Sequence, residues 1–444
     1  MEKFIITGGT PLRGELTLTG AKNVALKVLS AALLTNEELI LHNVPILTDV
    51  FAMLELLQTL GVHSRWDGHT VIIKNSGVKN TRVPLDIGAR LRTSSMVVGP
   101  LLARYGEAII PNPGGCRLGA RPIDRHMDAL TSMGAHILYH SDDGYFYLTA
   151  KKLTGATIQF VKNTHTGTET IILAAVLAKG TTILKNAAEE VEIDGLIELL
   201  TAMGARIFRS APREITIEGV SSLHGAEYTV MPDRNEEVTF AIAAAMTGGE
   251  IVIRQSQRTE LHAFLEKLSE AGATYEEIDE TTTRYRCSVR PRATDVTTSI
   301  HPGFMTDWQA PWAVFMTQSK GISTIHETVF ESRFSYVAEL KKMGAAISFF
   351  GPNVSNPETF YNFNWKDHVN GYHQAIKITG PTTLHNAILE MTDLRAGATL
   401  VLAALVADGE SYIHGIEQVD RGYENIDKRL KDLGAKIKRT KEDA

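Results

Sequence analysis

Cysteine is scarce: the 444-residue chain carries two, Cys116 and Cys287. Two thiols exclude a disulfide scaffold and a Cys-only zinc site, and such sparing use suits a reducing cytosol. An excess of positive charge is also missing. Lys and Arg total 45 against 51 Asp and Glu, a net charge of −6. That excludes a global basic footprint for nucleic acid but leaves room for a local cationic pocket around a small anion. No uninterrupted apolar run reaches about 18 residues, so no transmembrane helix is expected. The opening MEKFIITGGTPLRGEL lacks the basic-then-apolar order of a signal peptide. There is no GxxxxGKS or GxxxxGKT, no dinucleotide GxGxxG, no HExxH and no paired CxxC. Nucleoside triphosphatase, Rossmann dehydrogenase and zinc hydrolase readings lose their usual support. The expectation is a cytoplasmic globular protein with no nucleic-acid or membrane partner.

What is present is a repeat. An amphipathic stretch ending in Gly and a small apolar residue, then a β-like segment, recurs six times: LLQTLGVHSRW, ALTSMGAHILY, LLTAMGARIFR, KLSEAGATYEE, ELKKMGAAISF and RLKDLGAKIKR. The glycines are Gly61, Gly134, Gly204, Gly272, Gly344 and Gly434, at intervals of 73, 70, 68, 72 and 90. Upstream of each lies an Ala-rich, nearly all-apolar helical run followed by a polar or Gly break and a strand, as in AAVLAKGTTILKNA. Each unit reads strand–helix–strand–helix–strand–strand. The first helix is apolar enough for full burial, the second has a polar face, and the glycine suits a left-handed C-cap. The long last interval reads as a loop insertion over Gly351–Tyr372. Single cores rarely grow beyond roughly 250–300 residues, so six units divide naturally into two groups of three. The first strand, EKFIITGG, could join either half.

Several stretches could carry chemistry. Lys22 and Asn23 of GAKN precede a buried-looking helix whose N-terminus favours anions; alone, the lysine reads as an ordinary surface residue at a cap. Cys116 of PNPGGCRLGARPIDRH lies among glycines, Arg117 and Arg121, where backbone N–H groups and guanidinium groups would favour a thiolate; the alternative is a structural cysteine. His126 reads as a satisfied structural histidine. Asp307 of PGFMTDWQAPW is either a helix N-cap or a base. Arg92, Arg333, Arg395 and Arg421 each fall where a strand meets a helix, read as the same place within each unit. Converging in one cleft, they would imply a substrate with several negative charges.

In the order GAKN, GPLLARYG, GGCRLGARP, KGTTILKNAA, PDR, PGFMTDWQA, ETVFESRF, TDLRAG and RGYE, the chain resembles the enolpyruvyl transferases, over essentially its whole length. The resemblance implies an α/β fold, a two-domain inside-out barrel with three repeated βαβαββ units per domain. The domains implied are 22–231, carrying the cysteine loop, and 1–21 with 232–444, with the active site in the cleft between them and the N-terminal strand in the second domain. It implies transfer of the enolpyruvyl group of phosphoenolpyruvate to the 3-hydroxyl of UDP-N-acetylglucosamine, with release of phosphate, as the first committed step of peptidoglycan synthesis. Cys116 would protonate the methylene carbon and would be the target of fosfomycin. Lys22, Arg121 and Arg421 would bind phosphoenolpyruvate, with Arg92, Arg333 and Arg395 around the anionic site. Asn23 and Asp307 would contact the sugar, Asp307 as base for its hydroxyl, with Asp393 a second candidate carboxylate and Val329 a further contact. Lys162, Asn163, Thr164, His165 and Thr166, with Arg121, Pro122, Ile123, Asp124 and Arg125, match uridine-diphosphate contacts. No metal or redox cofactor is implied, and the oligomeric state is left open, with a monomer plausible.

The chain departs from the family in three places. THTGT (164–168) replaces the usual SVGAT, PDRNEEVT (232–239) replaces PDRIETGT, and Arg125 replaces an apolar residue. These bear on nucleotide-sugar specificity more than on reaction class. The shikimate-pathway branch of the family typically has GSKS for GAKN and lacks the loop cysteine, so Asn23 and Cys116 argue against it. A non-catalytic nucleotide-sugar-binding paralogue would have no need of Cys116, Asp307 and the cations.

Overall fold

The computed structural model describes residues 2–114, 122–369 and 371–441. The chain divides into two compact units, 2–19 with 232–441 and 20–114 with 122–231. Each has its own hydrophobic core.

Three sheets lie in each unit, and all six follow one plan. The repeat over 157–218 shows it. Strand Thr157–Gln159 leads into helix His165–Ala175, then strand Thr181–Lys185, helix Val191–Ala202 and the hairpin Arg206–Ala211 and Glu214–Glu218. The strand after the first helix takes the leading strand in parallel on one side and the second hairpin strand antiparallel on the other. The crossover through the first helix makes that parallel pair possible, since parallel neighbours cannot be joined by a tight hairpin.

Two sheets complete this plan with strands from far along the chain. Arg13–Thr17 supplies the parallel strand beside Glu250–Arg254, and Ala226–Thr229 supplies the one beside Glu38–His42. The N-terminal strand Glu2–Thr7 takes the place of the second hairpin strand, between Glu410–His414 and Lys436–Lys441. In the sheet of Glu107–Pro111 the parallel strand shrinks to a single bridge, Arg82 to Ile109.

Composition explains which helices are inside. All thirteen residues of Arg234–Met246 and all nine of Gln309–Thr317 are buried, as are twelve of Leu394–Val406. Their alanines let the three helices pack on one another within the unit. The second helices are amphipathic: in Thr48–Leu60 the apolar face is Val50, Met53, Leu54, Leu57 and Leu60. All six repeat glycines have φ between 90° and 102°, where an L side chain is strained and glycine is not. Sheets around buried helices make each unit an inside-out α/β barrel.

Candidate active site

Each unit collects charged and polar side chains at the starts of its helices. In the unit 2–19 with 232–441, the centre is Asp307, in the short turn Thr306–Trp308. Its carboxylate does not cap the helix Gln309–Thr317, which has no side-chain cap. It pairs instead with Arg333 through one oxygen and with Arg395, at 3.4 Å, through the other. Arg333 and Arg395 are each 6% exposed. Burial works against the Arg395 charge, but Tyr423, Asp307 and Asp233 outweigh it and hold its pKa above the usual guanidinium value. The Arg395 guanidinium also donates to the Tyr423 hydroxyl at 2.9 Å, which lies 2.7 Å from the Thr239 hydroxyl.

Asp393, the second candidate carboxylate, is an N-cap: it accepts from the N–H groups of Arg395 and Ala396 at 3.0 Å, and from the Ser335 hydroxyl at 2.7 Å. It thereby fixes the helix that presents Arg395. The loop 327–333 is tied by Glu327, whose carboxylate accepts from the N–H groups of Val329 and Phe330 at 2.8 and 2.9 Å and from the Thr306 hydroxyl at 2.8 Å. Full burial pushes the Glu327 carboxyl pKa up, against the pull of Arg333. Arg421 is half-buried and donates to Gln418 at 3.1 Å.

In the other unit Lys22 is buried rather than a surface lysine. It is the first residue of helix Lys22–Ala31 instead of preceding it, and pairs with Asp49 at 2.6 Å. Asn23 follows it, half-buried. Arg92 opens the turn Arg92–Val97 and donates to the Pro113 carbonyl at 3.4 Å.

The segments 122–126 and 162–166 meet. Arg125 donates to the Asn163 carbonyl at 3.4 Å, and burial lowers its pKa against the pull of Asp124. His126, buried, contacts the Thr166 hydroxyl at 3.0 Å. Asn163 donates to the Asn186 carbonyl at 3.1 Å, and Thr164 caps the helix that begins at His165. Ile123 is buried, whereas Pro122 and Asp124 are exposed and Lys162 is half-buried. His165 lies 3.0 Å from the Glu169 carboxylate, and Lys27 reaches the same oxygen at 2.8 Å.

Cys116 and Arg121 lie outside the described residues. Two sequence readings are corrected. The arginines do not share one place in the repeat: Arg92 and Arg395 start inner helical segments, whereas Arg333 and Arg421 lie before outer helices, Tyr336–Lys342 and Ile426–Asp432. The stretch 235–238 is core: Asn235 accepts from the Trp308 indole at 2.9 Å, Glu236 pairs with Arg429, and Glu237 accepts from Ser256, Gln257 and Tyr285. Sequence reasoning missed Asp49, Lys27, Glu169, Glu327 and Tyr423. Tyr423 and Glu327 lie inside the quoted motifs RGYE and ETVFESRF; the others carry no local signal, because only the fold brings their partners near. Among the described residues no three His, Cys, Asp or Glu side chains cluster to hold a metal ion, and no helix is long and apolar enough to cross a membrane.

The family model for EPSP synthase (3-phosphoshikimate 1-carboxyvinyltransferase) matches residues 6–430. Among similar proteins, the UDP-N-acetylglucosamine 1-carboxyvinyltransferase of Magnetococcus marinus is 44% identical over 441 residues, 99% of each chain. That of Acinetobacter baylyi is 42% identical over 440 residues, 99% of this chain and 100% of its own. Among solved structures, the enolpyruvyl transferase NikO of Streptomyces tendae superposes with a TM-score of 0.85 at 23% identity, over 99% of both chains. EPSP synthase of Acinetobacter baumannii does so at 0.71 and 18%, over 99% of this chain and 100% of that one.

Proposed function

Because the chain belongs to the EPSP synthase family of enolpyruvyl transferases, we propose that it transfers the enolpyruvyl group of phosphoenolpyruvate to the 3-hydroxyl of UDP-N-acetylglucosamine and releases phosphate. The reaction commits the sugar to peptidoglycan synthesis, and its substrates place it in the cytoplasm. The observation that carries the reading is Asp307 held between Arg333 and Arg395. Two buried guanidinium groups hold the carboxylate in place, as a group that must meet a substrate hydroxyl needs.

The chemistry is an addition followed by an elimination. A proton adds to the methylene carbon of phosphoenolpyruvate as the sugar oxygen bonds to the carbon bearing the phosphate. Asp307 takes the hydroxyl proton. The tetrahedral adduct then loses phosphate and a methyl proton, restoring the double bond. Cys116 is the proposed acid at the methylene carbon. Lys22, Arg92, Arg121, Arg395 and Arg421 are the proposed cations for the phosphate and carboxylate, whose fixed charges stabilise the oxyanions with little reorganisation. Asn163–Thr166 with 122–125 are the proposed nucleotide contacts. Arg125 adds a guanidinium there, which suits a diphosphate.

The test is phosphate release with phosphoenolpyruvate and UDP-N-acetylglucosamine, against the same assay with shikimate 3-phosphate. Turnover with the nucleotide sugar alone is expected; turnover with shikimate 3-phosphate alone, or with neither, overturns the reading. Fosfomycin should add one adduct mass, lost in Cys116→Ala.

A further inference from the structure

The hairpin connections of the repeat are short: two residues join Arg206–Ala211 to Glu214–Glu218 and Thr274–Asp279 to Thr282–Arg286. In one sheet, residues 351–374 separate Ala346–Phe350 from Ala375–Gly380. An aromatic stack runs through this insertion. Tyr361, 2% exposed, stacks on Trp365 with centroids 4.8 Å apart and planes 10° apart. Trp365 stacks in turn on His368 at 4.5 Å and 9°. The Tyr361 hydroxyl contacts His326 at 3.0 Å.

The insertion ties itself to the loop 327–333. The Asn362 N–H donates to the Thr328 carbonyl at 2.8 Å. The Val369 N–H donates to the Glu331 carboxylate at 2.9 Å, and the His368 ring lies 3.5 Å from the same oxygen. At the far end of the insertion, Gln374 donates to the Glu331 carbonyl at 3.3 Å and accepts from the Glu327 N–H at 2.7 Å. Thus the insertion grips the loop at 327, 328 and 331, on either side of Val329 and two residues before Arg333. Loops left to themselves fluctuate, and holding one in its binding geometry lowers the ordering cost of binding.

We propose that the insertion is a strap that fixes the loop 327–333, with Trp365 and Glu331 as positioning residues that set how tightly the nucleotide sugar is held. This rests on the proposed function for the identity of the sugar substrate, though the strapping itself does not. The experiment compares wild type with Trp365→Ala, Glu331→Ala and Glu331→Gln, by steady-state kinetics and by amide hydrogen exchange of the peptide covering 327–333. Glu331→Ala, by losing the Val369 hydrogen bond, and Trp365→Ala, by releasing the stack that holds Tyr361 and His368, should each raise KM for UDP-N-acetylglucosamine about tenfold. KM for phosphoenolpyruvate and kcat should stay within about threefold, and the loop amides should exchange faster. Glu331→Gln keeps an acceptor for the Val369 N–H and should restore near wild-type KM. Unchanged loop exchange, or a lowered Tm with unchanged KM, overturns the strap. A wild type that fails to turn over the nucleotide sugar overturns the proposed function instead, and the exchange measurement then decides the strap.

Discussion

Each unit contains an anion flanked by two cations, and the two triads differ in their access to water. Glu169, between Lys27 and His165, has a fully buried side chain, and that of Lys27 is 3% exposed. Asp307, between Arg333 and Arg395, keeps 22% of its side chain exposed while both arginines are nearly sealed. The sealed Lys27–Glu169 pair contributes to the packing of its unit and can do little chemistry, since its carboxylate meets no reactant; of the three only the His165 ring, 26% exposed, reaches solvent. An open carboxylate with buried counter-ions is held and charged, yet accessible. The difference separates a structural ion cluster from a reactive one where charge alone does not, because buried pairs arise in both settings.

The most severe way to break the comparison is Asp307→Asn. It keeps the shape and removes the base, so kcat should fall by about 10²–10⁴, the range for a lost general base. Phosphate release measures it. A variant within threefold of wild type would put Asp307 on the structural side with Glu169.

Much of the fold was legible because it repeats. Six glycines at the same point of six patterns gave the units, and all six adopt the left-handed conformation that the pattern required. The sheets that borrow Arg13–Thr17 and Ala226–Thr229 were not legible, because parallel pairing between segments over 180 residues apart leaves no local trace. Of the side chains named from the sequence, Asp307, Arg333 and Arg395 are ones the fold brings together. The ion cluster where two helices converge was not legible. Lys27 and Glu169 lie on separate helices, Lys22–Ala31 and His165–Ala175, and neither sequence segment contains the other's charge. Asp393, implied as a second candidate carboxylate, stands before a helix and caps it.

The sealed triad can be broken from either side. Glu169→Gln strands the buried Lys27 charge and should destabilise the protein by about 3–5 kcal/mol; Lys27→Met leaves Glu169 the His165 ring as a partner and should cost less. The double variant leaves only His165 without its anion, which an imidazole meets by losing its proton, and should recover most of the Glu169→Gln loss. Urea unfolding gives the cycle. kcat should stay within about threefold in all three, since the Lys27 and Glu169 side chains are sealed from substrate. A double variant no more stable than Glu169→Gln alone would show that the pair is not the interaction that matters.

The smallest effect tests His165, the one histidine in the two triads. Burial lowers its pKa, but the attraction of Glu169, with a smaller contribution from Glu190, overcomes that and the repulsion from Lys27, so the net shift is upward. A group whose folded pKa is raised contributes stability that is complete below its unfolded value, near 6.5. That stability is lost as pH rises through the folded value. The difference in unfolding free energy between wild type and His165→Gln should therefore fall with pH above about 6.5, with a slope of at most about 1.4 kcal/mol per unit. In a Glu169→Gln background the attraction is gone while burial and Lys27 remain. The folded pKa then lies below the unfolded one, and the same difference should rise with pH instead. A slope of unchanged sign in that background would mean that Glu169 does not hold the imidazolium, and the triad would reduce to the Lys27–Glu169 pair.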